Sequence, residues 1–366
     1  MSSNGSEPVV NSLLELSVLH AMSAINIMVC SEFIGLFGIA ANIVNMINFR
    51  RQGFKDGVNV TLFALSFCDL GALVAHQFSN MCMCPWIRET QLFMLKSHLF
   101  TIGFYLNGYF VRVSGWLTSF ITFERCLCVV WPLKVKRVIT PRTAMLVNLA
   151  IVLLLSLYLF PPYYIMNLNW VVLPGGNQTI LAIVFKSNRE TIMAVYYFIA
   201  DQFIPYSTIL VLLLCTTITV SKLKSKLVWR QSTTLNAANK TSTATLKDRK
   251  VVAMLINISI IFIVSLLPQS TLGAAVGLER ELKLNGKYFN VLLMCYSFTS
   301  LLETINCSVS IFVYYTMSTK YRQEFWKIIR PVILWKNSVF RLMRSETLVT
   351  VRSMRFIRQC IRWYVC

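Results

Sequence analysis

The chain has 366 residues, of which 56% are hydrophobic and 14% charged, and its formal net charge is +20. Long apolar stretches in such a composition are typical of a membrane protein and exclude an ordinary soluble domain. The 11 cysteines show no zinc-binding spacing, and the only histidines are His20, His76 and His98. Because neither a serine–histidine set nor a metal set is visible, we do not expect an enzyme.

Seven apolar segments follow one another along the chain. Each is long enough for a helix that crosses a hydrocarbon core of about 30 Å at about 1.5 Å per residue. The expected helices cover about 24–49, 58–81, 98–130, 143–164, 191–220, 250–273 and 288–316. Only helices can satisfy their own backbone hydrogen bonds in lipid at this length, so we predict an all-α membrane protein, a seven-transmembrane helix bundle. No internal repeat is visible, which disfavours a transporter built from inverted repeats.

The segments outside the helices are polar or basic. Residues 1–23 form a short N-terminal segment, 24–316 the seven-helix domain and 317–366 a basic tail. The tail begins with 318–330, in which basic and aromatic residues alternate, as is typical of a short amphipathic eighth helix at the membrane interface. The region 221–249 is rich in Lys, Ser, Thr and Asn, and this composition predicts a flexible linker.

The charges of the loops predict the orientation. Most of the 35 Lys and Arg residues lie on one side of the bundle, in 50–57, 131–142, 221–250 and 320–366. Cytoplasmic loops are enriched in Lys and Arg, so we expect a multi-pass plasma-membrane protein with its N-terminus outside and its C-terminus in the cytoplasm. The glycosylation sequons at Asn4 and Asn177 then lie outside. The basic segments face anionic membrane lipids, which explains the net charge without a nucleic-acid partner.

An ordered set of motifs runs through these helices. Its members are Asn42, the run LSFCD at 65–69, Glu124-Arg125-Cys126, Trp131-Pro132-Leu133, Pro162, Pro205, Phe262, Pro268, Tyr314 and Tyr321. Each stands in the helix where a rhodopsin-like (class A) G-protein-coupled receptor has its signature, and the chain resembles that family over about 30–330. In appearance it is similar to gastropod chemosensory receptors and invertebrate FMRFamide-type peptide receptors.

The resemblance implies a receptor with two partners. It would bind an extracellular ligand, either a peptide or a chemosensory small molecule, and activate a heterotrimeric G protein. The alternative is a membrane channel or transporter without receptor signalling. That alternative requires a polar stripe along several helices or broken helices in repeats, and neither is visible in the sequence.

The resemblance also assigns a role in G-protein coupling or switching to Glu124, Arg125, Cys126, Pro132, Phe262, Pro268 and Tyr314. In the family, the acid before the arginine, here Glu124, holds the arginine at rest, and activation frees it for the G protein. A further resting contact to helix 6 would need an acid such as Asp248. Some signature residues differ: Leu266 replaces the usual tryptophan of helix 6, and SIFVY at 310–314 replaces Asn-Pro-x-x-Tyr. Phe100 replaces a cysteine, so the family's usual disulfide cannot form.

In the middle of the bundle, the resemblance places Asp69, Ser114, Asn306 and Ser310 around a sodium pocket. Oxygen ligands of this kind suit a hard cation. Ser114 lies about three helical turns before Arg125 and therefore on the same face of its helix. A polar network filled only with water is the alternative. Apart from an allosteric sodium ion, we expect no cofactor.

The expected ligand pocket contains Asn107, Arg112, Asp201, Gln269 and Glu303. Arg112 and Asp201 lie at similar depth, about 28 and 31 Å from the inner ends of their helices. Because an unpaired charge there would be costly, we expect them to form an ion pair. Glu303 has no evident cationic neighbour, so it either meets a basic ligand or is protonated. Asn107 stands where the related amine receptors carry Asp, which argues against simple biogenic amines.

Overall fold

A computed structural model describes residues 17–83, 93–132, 135, 138–172, 179–233, 242–282 and 286–331. Its main helices are α1 (Ser17–Gln52), α2 (Gly57–Met83), α3 (Phe93–Val130), α4 (Pro141–Ile165), α5 (189–233), α6 (Ser242–Leu278), α7 (Phe289–Met317) and α8 (319–331). An antiparallel hairpin of β1 (Met166–Val172) and β2 (Thr179–Phe185) connects α4 to α5. The predicted seven-helix membrane bundle with a short eighth helix is confirmed.

The exterior of the bundle is apolar, as lipid requires. In the part of the chain that the structure describes, α1 to α6 each contain a span long and apolar enough to cross a membrane. Large apolar side chains cover their outer faces; Phe33, Leu154 and Phe198, for example, are 73%, 68% and 66% exposed. The 29 residues of α7 would span about 44 Å, and its buried face is rich in serine and threonine. Polar side chains thus face the interior, where carbonyls of α7 itself and groups of α1 satisfy several of them.

The helix α3 lies at the centre of the bundle. It packs against α2, α4, α5 and α6, and β2 lies against it. Val113, Leu117 and Ile121 recur every four residues on one face and are fully buried. Gly71 of α2 faces the Phe110 ring so closely that a Cβ atom would lie 2.7 Å from it. Because α3 contacts most of the bundle, residues along it meet groups from several other helices.

Three buried asparagines of α1 hold it against α7 and α8. Asn42, Asn45 and Asn48 recur every three residues, which places them close together along α1, and each is fully buried. Asn42 Nδ2 donates to the Cys307 carbonyl at 2.8 Å, and Asn48 Nδ2 donates to the Tyr321 carbonyl at 3.0 Å. Buried amides of this kind need such partners, so they hold α7 and α8 against α1.

The prediction of a flexible linker over 221–249 is wrong for most of that region. The helix α5 continues to residue 233 and α6 begins at Ser242, while 234–241 lie outside the described residues. Lys and Leu, which alternate with Ser just after residue 220, are good helix formers. A helix that is already formed extends without a new nucleation step, so local composition was a poor guide there.

The long loop before helix 5 contains the β-hairpin, which the sequence analysis did not predict. Its strands pair from Met166 with Phe185 to Val172 with Thr179. Both strands are rich in β-branched or aromatic residues, which favour strands, and Pro174-Gly175-Gly176 between them is a turn signal. The N-terminal boundary also differs, since α1 already includes Ser17, ahead of the expected start near residue 24.

Candidate functional site

A cavity of about 150 Å³ lies between α3, α5, α6 and α7, near the end of the bundle that carries the hairpin. We call it the hairpin-end cavity. The structure brings all five predicted pocket residues into its lining: Asn107, Arg112, Asp201, Gln269 and Glu303. Six aromatic residues complete much of the wall: Phe104, Tyr105, Tyr158, Tyr196, Tyr197 and Tyr296. Apolar walls with a few convergent polar groups are typical of small-molecule sites.

Arg112 and Asp201 form the ion pair that the sequence predicted. The other guanidinium nitrogens also have acceptors. Arg112 Nε donates to the Ala200 carbonyl at 2.8 Å, and Nη1 donates to the Gly108 carbonyl at 2.9 Å. The guanidinium carbon lies 4.5 Å from the centre of the Tyr158 ring, within cation–π range. The pairing is therefore confirmed, and every nitrogen of Arg112 is engaged.

A change of helix type in α5 explains how both Ala200 and Asp201 reach Arg112. Residues Phe198–Phe203 form a π-helical turn between two α-helical stretches. Such turns interrupt the regular α-helical ladder and occur often at functional sites. Here a carbonyl and a carboxylate from neighbouring residues are both directed at one guanidinium. The sequence gives no clear signal for this turn.

Glu303 lies on the α7 side of the same cavity. Its Oε1 accepts a hydrogen bond from Asn107 Nδ2 at 2.6 Å. Tyr296, Ser300 and Glu303 are spaced four and three residues apart, so all three lie on one face of α7 and line the cavity. Gln269 contributes from α6, and its buried Oε1 has no hydrogen-bond partner in the described structure.

The four residues predicted to surround sodium come together near the middle of the bundle. Ser114 Oγ donates to Asp69 Oδ1 at 2.8 Å. Asp69, Asn306 and Ser310 line a second cavity of about 20 Å³, which is large enough for one water molecule or a small ion. Ser310 Oγ also accepts a hydrogen bond from Asn45 Nδ2 at 3.2 Å. The four side chains offer oxygen atoms as metal ligands, including those of one carboxylate, and such ligands fit a hard cation.

At the opposite end of α3, the acid that pairs with Arg125 differs from the expected one. Arg125 Nη2 lies 3.7 Å from Asp56 Oδ1, just before α2. Glu124 is buried instead near Gly57, and its Oε2 has no hydrogen-bond partner within the described residues. Adjacent residues on a helix do not face each other, which explains why Glu124 and Arg125 point to different neighbours. The side chain of Asp248 lies outside the described part of the structure.

The other residues expected to act in coupling are spread along the bundle. Phe262 is buried in α6 and lines the smaller cavity, and Cys126 is buried in α3. Tyr314 is buried in α7, and its hydroxyl has no hydrogen-bond partner among the described groups. Pro268 lies inside α6, and Pro132 is exposed just beyond α3.

Sequence reasoning missed several residues that the structure connects to these sites. No sequence pattern marked Asp56 as the partner of Arg125, because this pairing depends on how α2 approaches α3. Asn45 and Asn48 could have been found from their three-residue spacing after Asn42. The glycosylation candidates Asn4 and Asn177 lie outside the described residues.

The helices of this membrane bundle enclose a cavity near one end and hold Arg125 in an ion pair with Asp56 near the other. A family model described as "Serpentine type 7TM GPCR chemoreceptor Srw" matches residues 29–331, from within α1 to the end of α8. The chain belongs to this family, which is one of chemoreceptors and not of enzymes. No curated protein sequence matches the chain.

Proposed function

We propose that this chemoreceptor binds an extracellular ligand in the hairpin-end cavity and activates a heterotrimeric G protein at the Arg125 end. The observation that carries the proposal is the convergence of side chains from α3, α5, α6 and α7 on one cavity. The ordered rhodopsin-like motifs support the proposed coupling to a G protein. The hairpin end would face the outside of the plasma membrane, with glycans at Asn4 and Asn177. The basic loops would contact cytoplasmic lipid headgroups.

The size of the cavity supports a chemosensory small molecule more strongly than a peptide. A cavity of about 150 Å³ engineered in another protein accepts benzene, and the hairpin-end cavity has a similar volume. A peptide would have room for little more than one side chain at this depth. The likeness to FMRFamide-type receptors keeps a peptide as the alternative ligand.

Transmission would depend on α5 and α6, which line the cavity and carry a π-helical turn and an internal proline respectively. The π-helical turn Phe198–Phe203 lies in α5 and Pro268 in α6. Such positions are common sites of bending in helices. A ligand can shift the receptor toward an active state only by binding that state more tightly. In our proposal, the shift separates Arg125 from Asp56 and makes Arg125 available to the G protein.

Ligand-free nucleotide exchange on a panel of G proteins, catalysed by purified receptor in lipid vesicles, tests the coupling. Asp56→Asn should raise basal exchange, because it removes the partner that restrains Arg125. Asp56 is 60% exposed, so the pair contributes only about 0–1 kcal/mol and the rise should be at most about fivefold. Arg125→Gln should abolish exchange.

The matched control for that experiment is Lys55→Gln, which changes an exposed charge next to Asp56. It should leave basal exchange unchanged. Exchange that persists in a normally folded Arg125→Gln receptor, on every G protein that the wild type activates, would contradict the assigned role of Arg125.

We also propose that Asp69, with Ser114, Asn306 and Ser310, holds an allosteric sodium ion. The cation would supply a positive charge beside a buried carboxylate. A ligand that binds only the folded state stabilises it in proportion to the logarithm of its concentration. The wild-type receptor should therefore melt at a higher temperature in about 0.15 M sodium chloride than in choline chloride of the same ionic strength. Asp69→Asn should remove the difference.

The control for the sodium experiment is Glu32→Gln, which removes another carboxylate from the bundle, on α1. It should retain the sodium effect. Equal melting temperatures of the wild type in the two salts would favour the alternative, a polar network without an ion.

A further inference from the structure

The acidic and basic side chains of the hairpin-end cavity do not balance. Two carboxylates, Asp201 and Glu303, share the lining with a single cationic side chain, Arg112. A carboxylate in the interior of a membrane protein is costly unless a partner compensates it. The cavity therefore has one acidic group more than it has cations to pair with.

Arg112 forms its ion pair with Asp201 rather than with Glu303. Its three guanidinium nitrogens donate to Asp201 and to the carbonyls of Ala200 and Gly108, and its guanidinium carbon lies over the Tyr158 ring. A shift of Arg112 toward Glu303 would leave Asp201 and two carbonyls without their donor. The same engagement disfavours an acidic ligand, because the charge of Arg112 is already paired with Asp201.

Glu303 is the carboxylate of the lining that has no ion-pair partner among the described residues. Its one hydrogen-bond partner there is the neutral amide of Asn107, at 2.6 Å. Nearby in the lining, Gln269 Oε1 is a buried acceptor without a donor. An ammonium group brings three N–H donors and one positive charge, which is what these acceptors lack.

The walls of the cavity also suit a cation. Five tyrosine rings line it, and several are in contact: the ring centres of Tyr196 lie 5.2 Å from Tyr158 and 6.0 Å from Tyr105. Tyr296 lies two helical turns before Glu303 on the same face of α7. Aromatic faces attract ammonium groups most strongly where water is excluded. The remaining aromatic surface would accommodate an apolar ring.

We propose that the ligand is a small monoamine that carries one apolar ring, with its protonated nitrogen bound to Glu303. This inference rests on the proposed function, because it concerns the ligand of that same cavity. It also revises the expectation drawn from Asn107. The acid that amine receptors carry at that position of helix 3 is supplied here by α7, and Asn107 orients it through a hydrogen bond.

Three probes of equal size and different charge test this inference: benzylamine, benzyl alcohol and benzoate. Binding to the purified full-length receptor in lipid nanodiscs is measured by titration, with thermal unfolding as a second readout. Benzylamine should bind at least tenfold more tightly than benzyl alcohol, and benzoate should bind most weakly. An equal affinity for the amine and the alcohol, or no amine binding at millimolar concentration, would overturn the proposal.

Variants identify the group that recognises the charge. Glu303→Gln should weaken benzylamine binding at least tenfold and benzyl alcohol binding much less, and the alcohol thus also reports that the cavity is intact. The matched control, Glu32→Gln, removes a carboxylate outside the cavity and should change neither affinity. Benzylamine binding that survives Glu303→Gln would assign recognition to another group and overturn the proposal. If Glu303→Gln fails to fold, the order of the three probes on the wild type still decides.

Ligand-free G-protein exchange separates this inference from the proposed function. Exchange that is intact in a receptor without affinity for benzylamine refutes the ligand class and leaves the coupling in place. Amine binding through Glu303 in a receptor that activates no G protein supports the ligand class and refutes the coupling.

Discussion

Replacing either partner of the Arg112–Asp201 pair is expected to destabilise the receptor by about 3–5 kcal/mol, because the remaining charge stays uncompensated inside the bundle. Arg112→Met should fall near the lower end of this range, since the Asp201 side chain is 32% exposed whereas that of Arg112 is 14% exposed. Asp201→Asn removes the negative charge and leaves the guanidinium with neutral partners, including two carbonyls and a tyrosine ring. Surface expression and the melting temperature of purified receptor measure both effects.

The double variant Arg112→Met with Asp201→Asn distinguishes an ion pair from two independent contributions. Removing both charges costs far less than removing one, so the double variant should recover much of the lost stability. Lys327→Met is the control, because it breaks an ion pair with Glu324 through a lysine that is 65% exposed. That change should cost less than about 1 kcal/mol. Losses at Arg112 and Asp201 that simply add would contradict the coupling between them.

This pair illustrates which part of the site could be predicted from sequence. Two opposite charges at matched depth in a membrane bundle have few ways to avoid the desolvation cost, so their pairing follows from position and charge alone. The acceptors at Ala200 and Gly108 could not be predicted, because they depend on backbone geometry. The π-helical turn that directs Ala200 toward Arg112 could not be predicted for the same reason.

The prediction for Arg125 shows the opposite case. The family pattern assigned its resting contact to Glu124, which is adjacent in sequence. The structure pairs Arg125 with Asp56, whose position depends on how the turn before α2 approaches α3. A short local motif therefore identified the arginine, but not its partner, which is distant in sequence. For the same reason, the buried Glu124 carboxylate remains without a cation in the described structure and its role stays a prediction.

The helices were predicted well because the hydrocarbon thickness sets their length and the apolar residues mark it. Beyond the membrane this constraint ends. There α5 continues to residue 233, and the connection to it forms the hairpin of β1 and β2. Hydropathy does not distinguish a helix extension, a strand and a loop in such segments. Only local propensity could decide there, and neither the helix propensity after residue 220 nor the strand propensity of the hairpin was used.

The junction of α8 with α1 and α7 depends on Tyr321. Its side chain is fully buried, and its hydroxyl donates to Asn45 Oδ1 at 2.5 Å. Burial raises the pKa of Tyr321, so the hydroxyl remains protonated and able to donate near neutral pH. The ring centre lies 5.6 Å from Tyr314 and 5.7 Å from Phe49. The backbone carbonyl of Tyr321 accepts from Asn48, so a single residue joins α8 to both helices.

Tyr321→Ala is therefore expected to lower the free energy of unfolding by about 3–5 kcal/mol, the range typical of replacing a buried aromatic ring by alanine. Tyr321→Phe keeps the ring but leaves Asn45 Oδ1 without this donor, and should cost about 1–3 kcal/mol. Gln323→Ala, an exposed position on the same helix, should change stability little. Unfolding of the purified receptor, followed by tryptophan fluorescence, measures all three. If Tyr321→Ala melts like Gln323→Ala, α8 is not held by this side chain, and the aromatic contact with Tyr314 contributes nothing to the stability of the bundle.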